Sequence, residues 1–323
     1  MLDISTVHQG MSVFEAIVLG LVEGITEYLP VSSTGHLIIV SDLLGIGDGG
    51  VEQDAIDTFN IVVQGGAILA VLGLYFPRIM QMIRGLLGKD PAGLGLAINI
   101  IIAFLPAAVL GVLLNDLIEE RLFNTPAVIS ALALGGVFMI ALDRMKFRSV
   151  DDDEDPENDL LGLGWKRALF IGFMQTVAMW PGTSRSMMTI AGGVISGLKP
   201  KQAAEFSFLL GLPTLGGACV YSLGKNLKAA QETGGPNMFE LLGWTPIVIG
   251  LLVATISAAI AIRWLVGFLN KHGLALFGYY RLALAALLAT LISAGVVSIG
   301  GPSKSTNPGS QTTDIHAPDE ITP

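Results

Sequence analysis

The chain has 323 residues, of which 52% are hydrophobic and 14% charged, with 40 glycines and a mean hydropathy of +0.66. Soluble domains carry about 25% charged residues, so this composition excludes an ordinary globular enzyme and indicates an all-α polytopic membrane protein. The formal net charge of -9 leaves no basic surface for a nucleic-acid partner, and a lone Cys219 excludes an internal disulfide and a cysteine-based metal site.

In chain order, the first twenty residues hold neither Lys nor Arg, which argues against a cleavable signal peptide. An apolar segment over 11–28 is short and gives way to a polar run, Glu23-Gly24-Ile25-Thr26-Glu27-Tyr28-Leu29-Pro30-Val31-Ser32-Ser33-Thr34-Gly35-His36-Leu37. A second short apolar segment follows over 35–45. Glu23 and Glu27 are four apart and share one face if this stretch is helical. Pro30 breaks the chain, and Ser32, Ser33 and Thr34 are residue types that start helices. A half-helix would then present its free N–H groups and positive dipole end to an anion. An ionisable residue at membrane depth costs about 2.5 to 3.5 kcal/mol, so two Glu and a His together mark a functional site.

Apolar runs over 57–76, 97–117 and 126–143 are long enough to cross a hydrocarbon core of about 30 Å. The loop 144–164 carries Asp151-Asp152-Asp153-Glu154-Asp155, read as a solvated linker rather than a cation site. Two short apolar segments, 165–179 and 187–198, flank Trp180-Pro181-Gly182-Thr183-Ser184-Arg185-Ser186 and predict a second broken hairpin with a fixed cation at its tip. Three further spans are predicted over 203–223, 245–267 and 277–299. The segment 301–323 is rich in Ser, Thr, Pro and Gly and is expected to be a disordered extracytoplasmic tail.

The chain repeats itself. An offset of 152 places Glu23 on Gln175, Tyr28 on Trp180, Ser32 on Ser184 and Ser33 on Arg185. Each half, 11–143 and 165–299 within one membrane domain spanning 1–300, reads as one re-entrant hairpin followed by three spans. Three is odd, so the second half enters the membrane from the opposite side, as an inverted-topology repeat whose hairpin tips meet near the midplane. Twelve Lys and Arg fall on one side of this topology and four on the other, which makes the first side cytoplasmic.

Two half-helix N-termini, several hydroxyls and the Arg185 guanidinium make an anion site of phosphate size. Two carboxylates beside a phosphate repel it unless they are protonated or hold a divalent cation, so Mg2+ or Ca2+ on Glu23 and Glu27 is expected.

The strings EGITEYLPVSSTGHL (23–37) and PGTSRSMMT (181–189) resemble the two signature motifs of the undecaprenyl-diphosphate phosphatases, the bacterial integral-membrane bacitracin-resistance family. The hydropathy pattern agrees from about residue 10 to 299, while the acidic loop and the tail depart from it. The resemblance implies hydrolysis of the lipid carrier diphosphate to its monophosphate in the inner membrane, as part of cell-wall synthesis. It implies an inverted repeat with re-entrant helices, a homodimer, and a site open to the outside. By this resemblance the catalytic residues are Glu23, Glu27, Ser33, His36 and Arg185, with Ser32, Thr34, Ser184, Ser186 and Thr189 holding phosphate oxygens. The residues leave open whether His36 is a base, an acid or the nucleophile, and whether a covalent intermediate forms.

Plainer readings compete for single residues. A lone membrane Glu or His can be a hydrogen-bonded packing residue, hydroxyls often satisfy freed backbone groups at helix breaks, and Gln64 and Gln175 fit interhelical hydrogen bonds. Tyr28, Trp165, Trp180 and Trp244 fit interfacial belts. A secondary transporter or lipid flippase shares the inverted repeat and the broken helices. A transporter has no need of a serine beside a histidine and paired carboxylates.

Overall fold

The computed structural model of the chain describes residues 10–46, 53–122, 124–147 and 160–296. The acidic run 151–155 and the tail 301–323 lie outside the described residues. The chain is all-α: α1 (Val13–Thr26), α2 (Ser33–Leu43), α3 (Gln53–Leu74), α4 (Phe76–Leu86), α5 (Pro91–Leu122), α6 (Thr125–Leu142), α7 (Trp165–Val177), α8 (Arg185–Ile195), α9 (Pro200–Thr233), α10 (Met238–Leu242), α11 (Trp244–His272) and α12 (Ala275–Ser293). Six of these, α3, α5, α6, α9, α11 and α12, are long and apolar enough to cross a membrane. They occupy the six stretches that the apolar runs mark, with the ends displaced by a few residues; α9 is much longer, at 34 residues or about 50 Å.

Local chemistry sets the boundaries. Ser12 opens α1 with a capping box, its hydroxyl accepting from Glu15 N at 3.2 Å while its own N–H donates to the Glu15 carboxylate at 2.7 Å. Asn124 caps α6 ahead of Pro126, and Gly234 closes α9 at φ 68°, a left-handed conformation that glycine adopts without a Cβ penalty. The amphipathic α4 is not evident as an apolar run, since Pro77 and Arg78 interrupt it. Pro77 sits in its first turn, where no N–H is needed, and Arg78 ties it to Glu205 on α9 at 2.7 Å.

The offset of 152 persists through the fold. It carries α1 onto α7, α2 onto α8, α3 onto α9, α5 onto α11 and α6 onto α12. The halves interlock: α1 packs most extensively on α11 of the second half, and α7 on α5 of the first, while α3 meets α9 and α6 meets α12 across the repeat. Small residues allow the close crossings. A Cβ on Gly20 would stand 2.6 Å from the Gly250 carbonyl, and one on Gly24 would overlap the Ala254 carbonyl and the Ser257 hydroxyl. In apolar surroundings such backbone approach, with Ser257 donating to the Gly20 carbonyl at 3.3 Å, supplies packing that hydrophobic burial does not.

The α1–α11 crossing makes Gly24 intolerant of a side chain, in contrast to Gly73 of α3. Gly24→Ala forces about 1 to 3 kcal/mol of overpacking and lowers the thermal midpoint in detergent. Gly73→Ala, which meets open space, leaves the midpoint unchanged or raises it. Equal midpoints for both variants would contradict this account of the interface.

Candidate active site

The two short hairpins, α1–α2 and α7–α8, have helices of 14, 11, 13 and 11 residues. Ser32 and Ser184 join the second helix of each and hold the same backbone conformation, φ 75° and 76°. A non-glycine residue there costs about 1 to 3 kcal/mol and persists only where its surroundings over-determine it. What holds it is the cap: Ser32 Oγ accepts from Gly35 N at 3.4 Å and Ser184 Oγ from Met187 N at 3.3 Å, again 152 residues apart. The remaining first-turn N–H groups of α2 and α8 have no carbonyl within their own helix and offer donors at each tip.

Glu27 closes α1, and the turn through Tyr28 and Val31 brings Ser33, the first residue of α2, back over it. Ser33 Oγ donates to Glu27 Oε2 at 2.8 Å. From the opposite hairpin Arg185, the first residue of α8, donates from Nη2 to Glu27 Oε1 at 3.3 Å and from Nη1 to the Ser207 carbonyl of α9 at 3.0 Å. The Glu27 and Arg185 side chains are only 7% and 10% exposed, so their attraction is poorly screened. The guanidinium also stands 5.6 Å from the Tyr28 ring centroid. Arg185 Nε has no partner among the described residues. One turn before Glu27, Glu23 is fully buried, its carboxyl beside that of Glu27 and both its oxygens without a donor among the described residues.

Glu23, Glu27, Ser33 and Arg185 thus come together. His36 faces elsewhere: its Nδ1 meets the Ser32 carbonyl at 2.7 Å and its Nε2 the Tyr280 hydroxyl at 2.6 Å, and it has no hydrogen bond to Ser33. Ser186 donates to the Leu29 carbonyl at 2.9 Å, linking the tips directly, and pairs with Ser184 at 3.0 Å. Thr189 bonds Ser207 Oγ at 2.6 Å and the Arg185 carbonyl at 2.9 Å. Ser186 and Thr189 therefore brace the frame around Arg185, while Thr34 is half-buried in the first turn of α2. Tyr28 is buried rather than interfacial, donating to the Ala67 carbonyl at 3.2 Å. Trp180 is half-buried and donates to the Ala127 carbonyl at 3.0 Å. Gln175, at the position matching Glu23, accepts from Thr214 at 3.3 Å.

Ser207 and Tyr280 carry no sequence signal, and Arg281 carries only its place as an arginine within or at the edge of the apolar run 277–299. Ser207 lies between Phe206 and Phe208 in an apolar span, and its main-chain carbonyl makes the contact. Tyr280 and Arg281 sit in α12 far from either motif. Arg281 is fully buried and donates to the carbonyls of Leu132, Ala131 and Gly182 at 3.3, 3.1 and 2.8 Å.

The family described as "Bacitracin resistance protein BacA" matches residues 16–287, a range that includes both hairpin tips. The chain belongs to this family. Among curated relatives, the undecaprenyl-diphosphatase of Sorangium cellulosum is 43% identical over 278 residues, 86% of each chain. That of Azotobacter vinelandii is 42% identical, covering 88% of this chain and 95% of its own, and that of Cereibacter sphaeroides 40%, covering 87% and 97%.

The buried Glu27–Arg185 pair in this BacA chain predicts a specific pattern of stability. Arg185→Met leaves Glu27 buried without its counter-charge and lowers unfolding stability by about 3 to 5 kcal/mol. Adding Glu27→Gln removes the orphaned charge, so the double variant melts above the single one in detergent. Additive losses in that cycle would show that the two side chains are not coupled.

Proposed function

We infer that the chain hydrolyses undecaprenyl diphosphate to undecaprenyl phosphate and inorganic phosphate, returning the lipid carrier to cell-wall synthesis. The observation that carries this reading is a serine hydroxyl donating to a carboxylate that a guanidinium meets from the opposite hairpin. A transporter needs an anion cradle but no such pair.

The chemistry follows from the residues. Nε and Nη2 lie on one edge of the planar Arg185 guanidinium, and this edge carries the unpartnered Nε and the longer, 3.3 Å contact to Glu27. A terminal phosphate engages that edge through two parallel hydrogen bonds, while Nη1 stays anchored on the Ser207 carbonyl. Glu27, relieved of Arg185, accepts the Ser33 proton as Ser33 Oγ attacks the terminal phosphorus. The bond to the bridging oxygen breaks and the lipid monophosphate leaves with that electron pair. Glu27 passes that proton to the departing lipid phosphate, so its carboxylate is free to take a proton from the water that attacks the phosphoserine and to return it to the Ser33 oxygen as the P–O bond breaks, releasing phosphate and the free serine. Arg185 and the helix N-termini stabilise the charge on the transferring group.

A divalent cation, Mg2+ or Ca2+, belongs to this reading. The two buried Glu23 oxygens, without donors among the described residues and beside the Glu27 carboxyl, fit hard-cation ligands. Such an ion, when bound, would neutralise charge between carboxylate and phosphate. Among the described residues no cluster of three or more His, Cys, Asp or Glu exists, so substrate oxygens and water would complete its shell. The length of the hairpin helices, about 21 Å at most against a hydrocarbon core of about 30 Å, supports their being re-entrant. The skewed Lys and Arg distribution supports an inner-membrane orientation with the site open to the extracytoplasmic side. The homodimer rests on the family resemblance alone.

Purified protein in detergent should release phosphate from the lipid diphosphate with no gradient imposed, and Ser33→Ala should abolish release while leaving the thermal midpoint near wild type. Arg185→Lys should lower kcat by about 10²-fold with a smaller change in KM, as expected for a contact strengthened in the transition state. Excess chelator should silence release and Mg2+ or Ca2+ restore it. Undiminished turnover in chelator would remove the cation from the site, leaving a proton on Glu23 as its substitute.

A further inference from the structure

α12 reaches both hairpins with consecutive residues. Arg281 donates to the Gly182 carbonyl at the second tip and to two carbonyls of α6, with side-chain burial complete, so α12 is tied to the second hairpin. Tyr280, 47% exposed, meets His36 of the first hairpin at 2.6 Å, with the two rings parallel to within 2°. At the offset of 152 these two positions hold Val128 and Ile129 in α6, so the device exists in one half only.

The tautomer of His36 follows from its partners. A carbonyl oxygen can only accept, so the 2.7 Å contact to Ser32 O requires a proton on Nδ1. In the neutral ring Nε2 is then the acceptor, and the Tyr280 hydroxyl is its donor. The carbonyl that His36 holds belongs to Ser32, whose φ of 75° sets where α2 begins and hence where Ser33 stands over Glu27.

We propose that Tyr280 is a positioning residue for the phosphatase reaction: its hydroxyl fixes the His36 ring on the Ser32 carbonyl, and so registers Ser33 of the first hairpin against a helix anchored to the second. This rests on the function inferred above. The contact also occupies the basic nitrogen of His36, leaving Glu27 to receive the Ser33 proton. Loss of the hydroxyl frees Nε2 and lets the ring leave Ser32, loosening the nucleophile without removing any group that touches phosphate.

The test is Tyr280→Phe, which keeps the ring and deletes one hydroxyl, in full-length protein purified in detergent. kcat should fall about 3- to 10-fold, the worth of one hydrogen bond, with KM and the thermal midpoint nearly unchanged. In protein labelled with 15N-histidine, with His36 assigned through His36→Gln, the His36 signals at neutral-ring pH should move from the Nδ1–H form toward a mixture of tautomers. A tyrosine that only fills space would not move that signature. Tyr279→Phe, which removes the neighbouring phenol, should change neither readout. Wild-type kcat or an unchanged His36 tautomer in Tyr280→Phe overturns the proposal. Wild-type protein that releases no phosphate would instead overturn the functional reading on which it stands.

Discussion

One buried ion pair organises the molecule. Glu27 and Arg185, 158 residues apart in sequence, come from different hairpins and meet at 3.3 Å with both side chains almost inaccessible. In such surroundings either charge alone carries a desolvation cost of several kcal/mol, so each charged tip is tolerable in the interior only beside the other. That dependence explains the many hydrogen bonds around the pair: Ser186 to Leu29, Thr189 to Ser207, Arg185 to the Ser207 carbonyl and Arg281 to Gly182. Each removes one degree of freedom from the approach of a guanidinium to a carboxylate.

The repeat supplies the frame and its divergence supplies the chemistry. Both halves keep the capped break, down to serines with φ near 75° and hydroxyls accepting from the third N–H beyond. The charged positions differ. Glu23, Glu27, Ser33 and His36 of the first hairpin stand where the second has Gln175, Met179, Arg185 and Met188. Carboxylates and the Ser33 hydroxyl are therefore on one tip and the cation on the other, which a symmetric pair of hairpins could not achieve without setting like charges against each other. Interlocking of the halves, α1 on α11 and α7 on α5, then holds unlike tips face to face.

Membership in the BacA family gives the frame its biological setting, and the geometry gives individual residues different kinds of work. Hydroxyls that look equivalent in the motifs divide in the structure. Ser33 meets a carboxylate, Ser32 and Ser184 cap helices, and Ser186 and Thr189 brace the arginine. His36, three residues from Ser33, turns toward α12 because its Nδ1 is held by the Ser32 carbonyl.

The sequence by itself determined the all-α membrane class, the six spans and the two capped breaks, because these depend on composition, run length and residue type within a few positions. The repeat offset was legible for the same reason: a Ser before each half-helix and an apolar run after it are local signals. Span ends and α4 were not, since Pro77 and Arg78 interrupt an otherwise apolar pattern and only the contact with Glu205 on α9 gives that amphipathic helix its place. Nor could a local pattern show that Ser207 anchors Arg185 by its main-chain carbonyl, that Tyr280 faces His36 from 244 residues away, or that Glu23 has no donor among the described residues. Those facts depend on which helices cross and at what depth, and that was decided by tertiary packing at small-residue contacts such as Gly20 on Gly250.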